Sequence, residues 1–192
     1  MDTKTLSIII VFTAVTMALA VSGFAVPAFF ATYLFFQIWE IPIVTAFTLI
    51  SRKAAIVISI LNAVVLVTVF PGVSPIGPFY NLIATLSMLF GIFIVQKSFK
   101  NKKPTKNKEN KLYYSRFVIL STISGIIFRV VTMTIVNYTV LRLPIPFGFE
   151  FLENQIIATL PLIGAFNAIL AAYTIPIGLF ITKAISKNIK LK

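Results

Sequence analysis

The chain has 192 residues, 58% of them hydrophobic and only 11% charged, with a mean hydropathy of +0.98. A soluble domain is about 25% charged, and one of this length has too little interior to hide so much apolar surface, so a soluble globular fold is excluded. Nineteen Phe exclude disorder, and the absence of Cys and His excludes disulfides, thiol catalysis, histidine acid–base chemistry and the common zinc sites.

Six apolar segments follow in chain order. The first runs from about Leu6 to Val26 without a charge. The second, about Phe35 to Ile50, is shorter and is interrupted by Glu40 and Pro42. The third is Ala54 to Phe70 and the fourth about Phe79 to Gln96. The fifth, about Phe117 to Leu141, contains Arg129, and the sixth, about Gln155 to Lys183, contains Pro161 and Pro176. A bilayer-crossing helix needs about 20 apolar residues. A membrane barrel would instead alternate over segments of about ten. The expected fold is therefore all-α, an integral membrane protein of six transmembrane helices forming a single domain, residues 1–192. Lys4, the apolar run and Ala18-Leu19-Ala20 have the outline of a signal peptide, but the charged start is weak, and a retained helix is favoured.

The net charge of +12 would suggest nucleic acid in a soluble chain. Here it follows topology. With both termini cytoplasmic, Lys4, the pair Arg52 and Lys53, the run from Lys97 to Arg116, and the C-terminal Lys183, Lys187, Lys190 and Lys192 share one side. They account for fifteen of the seventeen basic residues, as positive-inside sorting demands. Leaving out the second helix would put Arg52 and Lys53 opposite the large basic stretch. Residues 97–116 read as a flexible cytoplasmic loop that meets anionic headgroups. No aromatic-interleaved groove accompanies it, so nucleic acid is not an expected partner. The chain is placed in the cell membrane.

No P-loop, G-x-S-x-G, HExxH or pair of intramembrane aspartates occurs, so neither an enzyme nor a bound metal or cofactor is expected. What remains is a small polar set. Arg129 near the middle of the fifth segment is read either as half of a structural pair, with Glu40 or with backbone carbonyls, or as a ligand contact. Asn81, Asn137 and Asn167 lie in the outer halves of three segments. Each alone suits helix–helix hydrogen bonding; together they suit a pocket open to the outside. Phe29, Phe30, Tyr33, Phe35 and Phe36 in the first outer loop form an interfacial aromatic belt, or else cover a flat ligand by stacking. Ala14 and Ala18 are spaced one helical turn apart, which lets another helix approach closely.

Taken together these features resemble the S components of energy-coupling factor (ECF) transporters, and among them most closely the riboflavin subfamily. Ala14-x-x-x-Ala18 resembles the family's docking pattern in the first helix. Glu40-Ile41-Pro42 resembles an Asp-Ile-Pro at the start of the second, and Gly77-Pro-Phe-Tyr-Asn81 the opening of the fourth. Asn137-Tyr138 and Pro161-Leu-Ile-Gly-Ala-Phe-Asn167 resemble segments of the fifth and sixth. Leu170 and Pro78 depart from it, standing where the family often has Lys and an acidic residue. The resemblance implies capture of riboflavin or a related vitamin from outside and its delivery inward by a transmembrane coupling subunit and two cytoplasmic ATPases. It implies Asn137 and Asn167 on the ligand's polar edge, with Asn81 and Phe36 completing and covering the pocket. Ala14 and Ala18 would form the docking face. Two other classes remain: a structural or assembly protein of envelope synthesis without a pocket, and a carrier that works without ATPases.

Overall fold

In lipid every backbone polar group must be paired internally, which leaves the helix as the default form for long apolar runs. A computed structural model describes residues 3–69, 76–99, 107–145 and 147–188, and shows six helices among them. They are α1 (Thr3–Val21), α2 (Glu40–Leu49), α3 (Arg52–Val69), α4 (Gly77–Phe99), α5 (Asn107–Val140) and α6 (Glu153–Asn188). Three of these, α4, α5 from Leu112 and α6 to Lys187, are long and apolar enough to cross a membrane. Hydroxyls inside the apolar helices return their hydrogen bond to the carbonyl one turn back, as Thr13, Thr16 and Ser59 do to Ile9, Phe12 and Ala55.

The helical fold carries one element that the sequence did not suggest. Between α1 and α2 the chain forms an antiparallel hairpin, β1 (Ala25–Ala28) and β2 (Ala31–Gln37), with Ala25 opposite Gln37 and Val26 opposite Phe36. Gly23, in the left-handed region at φ 75°, turns the chain out of α1 toward it. The second helix is correspondingly shorter than the expected Phe35 to Ile50. Pro42 explains where it starts: proline has no N–H to bond back to Ile38, so the ring is tolerated in a helix's first turn, where that N–H has no partner in any case. Ten residues rise about 15 Å, half of a bilayer core. Seven of the ten are buried, so α2 is an interior element.

α2 lies against α6, where Gly178 lets Val44 approach and Thr45 donates to the Gly178 carbonyl at 3.2 Å. α4 and α5 touch backbone to backbone at Gly91, where an added Cβ would stand 2.7 Å from the Ser124 carbonyl oxygen and 2.8 Å from Gly125 Cα. The main core gathers Ile43, Val44 and Phe47 with Met88, Ile92 and Ile175. α5 carries Ile119, Ile123, Ile127, Val131 and Ile135 as one exposed stripe, an apolar face suited to lipid.

Side-chain contacts fix the two ends of the bundle. At one end Arg52 lies over the Phe93 ring, Phe99 packs on Tyr113, and Lys183 lies over the Tyr114 ring. The starts of α3 and α5 and the ends of α4 and α6 therefore meet there, with most of the described basic residues. The helices also reach into the basic stretch: residues 97–99 end α4 and 107–116 begin α5, while 100–106 lie outside the described residues. At the opposite end Tyr80 donates to the Phe147 carbonyl at 2.7 Å, tying the start of α4 to the α5–α6 connection near the hairpin.

Candidate functional site

Glu40 opens α2 and Arg129 sits within α5; both are buried, at 0% and 1% exposure. Two ions this deep are stable together only if the charges pair and the remaining polar positions are filled. Both conditions hold. The guanidinium grips the carboxylate with two prongs, Nη1 donating to Oε2 and Nη2 to Oε1, the latter at 3.0 Å. Asn81 Nδ2 and Gln37 Nε2 donate to Oε1 at 2.8 and 2.5 Å. Four donors reach one carboxylate, which is about the capacity of its two oxygens. Arg129 Nε donates to Asn167 Oδ1 at 3.0 Å, and Nη1 lies 3.7 Å from Met88 Sδ. Tyr173 donates to the Gln37 carbonyl at 2.5 Å and accepts the Gln37 backbone N–H at 3.2 Å. The network thus joins β2, α2, α4, α5 and α6.

Beside it lies a cavity of about 160 Å³. That is well above the roughly 10–15 Å³ that a single water needs, so the space can hold several. The starts of α4 and α6, the end of α5, the hairpin and the 141–152 connection bound it, at the end of the bundle opposite the basic residues. Its wall is mainly apolar and aromatic, with Phe35, Phe149 and Phe166 among its residues. Asn81, Asn137, Asn167 and Arg129 all reach it, each from the expected helix. Leu170 and Pro78 line it as well.

The asparagines differ in what is left to them. Asn167 is spanned inside the protein, its oxygen taking the Arg129 Nε–H and its Nδ2 donating to the Ile163 carbonyl at 2.9 Å. The Asn137 side chain donates to the Met133 carbonyl at 2.7 Å, and that is the side chain's only hydrogen bond among the described residues. Phe36 is not on the cavity wall. It packs on Phe166, with ring centroids 5.0 Å apart, while Leu34, Phe35 and Gln37 of the same strand line the cavity. Arg142 lies outside the cavity, bonded to Glu153 at 2.9 Å and stacked over Tyr138, all exposed. Ala14 and Ala18 are exposed on α1, away from the cavity. Sequence reasoning missed Gln37, Tyr80 and Tyr173. A usable signal existed for Gln37, an amide three residues before the one acidic residue of its segment. No cluster of three metal-ligating side chains occurs among the described residues.

No protein-family profile and no curated protein matches the sequence. A solved structure described as that of the S component of a bacterial ECF transporter is similar to the chain with a TM-score of 0.74. The likeness covers 98% of each chain at 21% identity, which establishes a shared fold.

Proposed function

We propose that this protein is the S component of an ECF-type importer, which captures riboflavin or a related vitamin from outside. A separate module, a transmembrane coupling subunit with two cytoplasmic ATPases, would drive its release inward. The observation that carries this reading is the cavity: three amide side chains from α4, α5 and α6 converge on an aromatic-walled space at the less basic end of the bundle. An assembly protein has no use for such a space. The full-length fold likeness supports the same reading, as do the short motifs quoted above.

In this reading all six helices cross or enter the bilayer of the cell membrane, with both termini and the basic stretch at 97–116 cytoplasmic. The basic residues then face the anionic leaflet and the cavity faces outward. Asn137, Asn81 and Asn167 meet the ligand's polar edge, and aromatic rings cover its flat faces. The chain contributes specificity and no chemistry. Ala14 and Ala18 form a flat place on α1 where a partner helix can lie close.

The test is to purify the protein from a riboflavin-containing host and search the extract by mass spectrometry for a co-purifying small molecule. A yellow protein that releases a flavin is the expected result. Another vitamin in its place would keep the capture role and replace the ligand. A protein that retains no small molecule, and is not stabilised by any vitamin added to it, would sink the reading.

A further inference from the structure

Among the described residues on the cavity wall, Arg129 is the only charged one. An arginine facing a pocket suggests an anionic ligand, but the geometry argues the reverse. Both prongs of this guanidinium are committed to Glu40 and its Nε–H to Asn167. Glu40 stands behind Arg129, off the cavity wall, with Arg129, Asn81 and Gln37 all donating to its carboxylate. The pair is therefore neutral as a unit, and the charge of the guanidinium is already answered by Glu40. An anion entering the cavity would lose its water and find no free counter-charge, which is strongly unfavourable in an apolar site.

The amides add a second constraint. Asn81 Nδ2 points at a carboxylate and Asn137 Nδ2 at a backbone carbonyl. Both partners only accept, so turning either amide over would set oxygen against oxygen. The Oδ1 atoms of Asn81 and Asn137 are thereby fixed as acceptors, and no protein donor among the described residues fills them. We infer, resting on the capture reading, that the cavity selects an uncharged ligand presenting N–H or O–H donors to Asn81 and Asn137, and that Glu40 sets this charge preference by neutralising Arg129. Glu40 is a positioning residue; it does not touch the ligand.

The experiment uses matched neutral and anionic pairs on the full-length protein in detergent. Riboflavin and riboflavin 5′-phosphate are titrated by fluorescence quenching. Pyridoxal against pyridoxal 5′-phosphate, and nicotinamide against nicotinate, are compared by thermal shift. At least one neutral member binds, and its anionic partner binds ~100-fold more weakly. Glu40→Gln, which uncovers the arginine's charge, narrows that ratio to below about tenfold or inverts it. The double variant Glu40→Gln/Arg129→Gln is uncharged again and keeps the wild-type preference, so the ratio can be read even where Glu40→Gln alone fails to fold. Preferred binding of an anionic member by the wild type, or a ratio that Glu40→Gln leaves unchanged, overturns the charge proposal and leaves the capture role standing. Binding of no member by the wild type overturns this proposal, whereas the capture reading falls only where no vitamin at all stabilises the protein.

Discussion

The ion pair of Glu40 and Arg129 is fully buried and neighbours the cavity. Removing one partner strands the other as a buried, uncompensated charge, a loss of about 3–5 kcal/mol; replacing both with apolar groups is far less harmful. Arg129→Met should therefore lower the thermal unfolding midpoint sharply, and Glu40→Leu/Arg129→Met should recover most of the loss. A double variant no more stable than the single would show that the pair is not what holds this region. The asparagines divide by the same bookkeeping. Asn167→Ala deprives Arg129 of an acceptor, a bond to a charged group worth about 1.5–3 kcal/mol, so stability and ligand binding fall together. Asn137→Ala gives up one bond to a carbonyl, about 0.5–1.5 kcal/mol, and should reduce ligand binding more than stability. Thermal scans with and without ligand measure both, and equal stability losses would contradict the division. These residues were legible in the sequence because a polar side chain inside an apolar run is rare and expensive. Gln37 and Tyr173 were not. Each lies in a stretch whose polar and aromatic residues look like ordinary interfacial ones, and only the hairpin's fold-back brings them together.

Helices were legible to within a few residues at their apolar centres, because length and hydropathy alone decide them. The exceptions have specific causes. β2 reads Ala-Thr-Tyr-Leu-Phe-Phe-Gln, with no clean polar–apolar alternation, so the usual strand signal is missing. Its content of Thr, Tyr and Phe was the weaker hint. The start of α2 was hidden by the same apolar continuity, although Pro42 marks it. Packing between elements leaves no hydropathy signal at all. Gly91 is one of eight glycines in the sequence, and its place is set by packing: a Cβ there would meet Ser124 O and Gly125 Cα across the α4–α5 contact. Backbone cannot swing aside as a side-chain tip can. Gly91→Ala should push the two helices apart and cost about 1–3 kcal/mol. Gly164→Ala meets only Val130 Cγ1 at an ordinary 3.7 Å and should be neutral or slightly stabilising, since Ala favours helix over Gly. Comparable midpoints for the two variants in thermal unfolding would refute the close-contact argument.

At the scale of the molecule, the cavity and the small-residue patch on α1 lie apart. Charge sorting made the overall polarity legible: the contacts of Arg52 and Lys183 place them at the end remote from the hairpin. The outward face of α1 carries Ile10, Val11 and Val15 exposed, with Ala14 and Ala18 exposed beside them. Thr16, on the inward side, is fully buried and bonds back to Phe12. In the proposed importer a partner helix must approach α1 closely. Alanine permits that approach because nothing beyond Cβ holds the backbones apart. Ala14→Trp puts a large ring on the same surface without entering the core or the cavity, since the native side chain points outward. Distant sites that share no partners behave independently, so ligand affinity should stay within about twofold of wild type. Uptake of the ligand by cells should fall to background, and co-purification with a coupling subunit should be lost. Ala14→Ser, which stays small, should keep all three. Unchanged uptake with Ala14→Trp would separate this protein from a coupling module and favour a carrier that works alone. Loss of binding along with uptake would mean that α1 supports the cavity and is not a docking face.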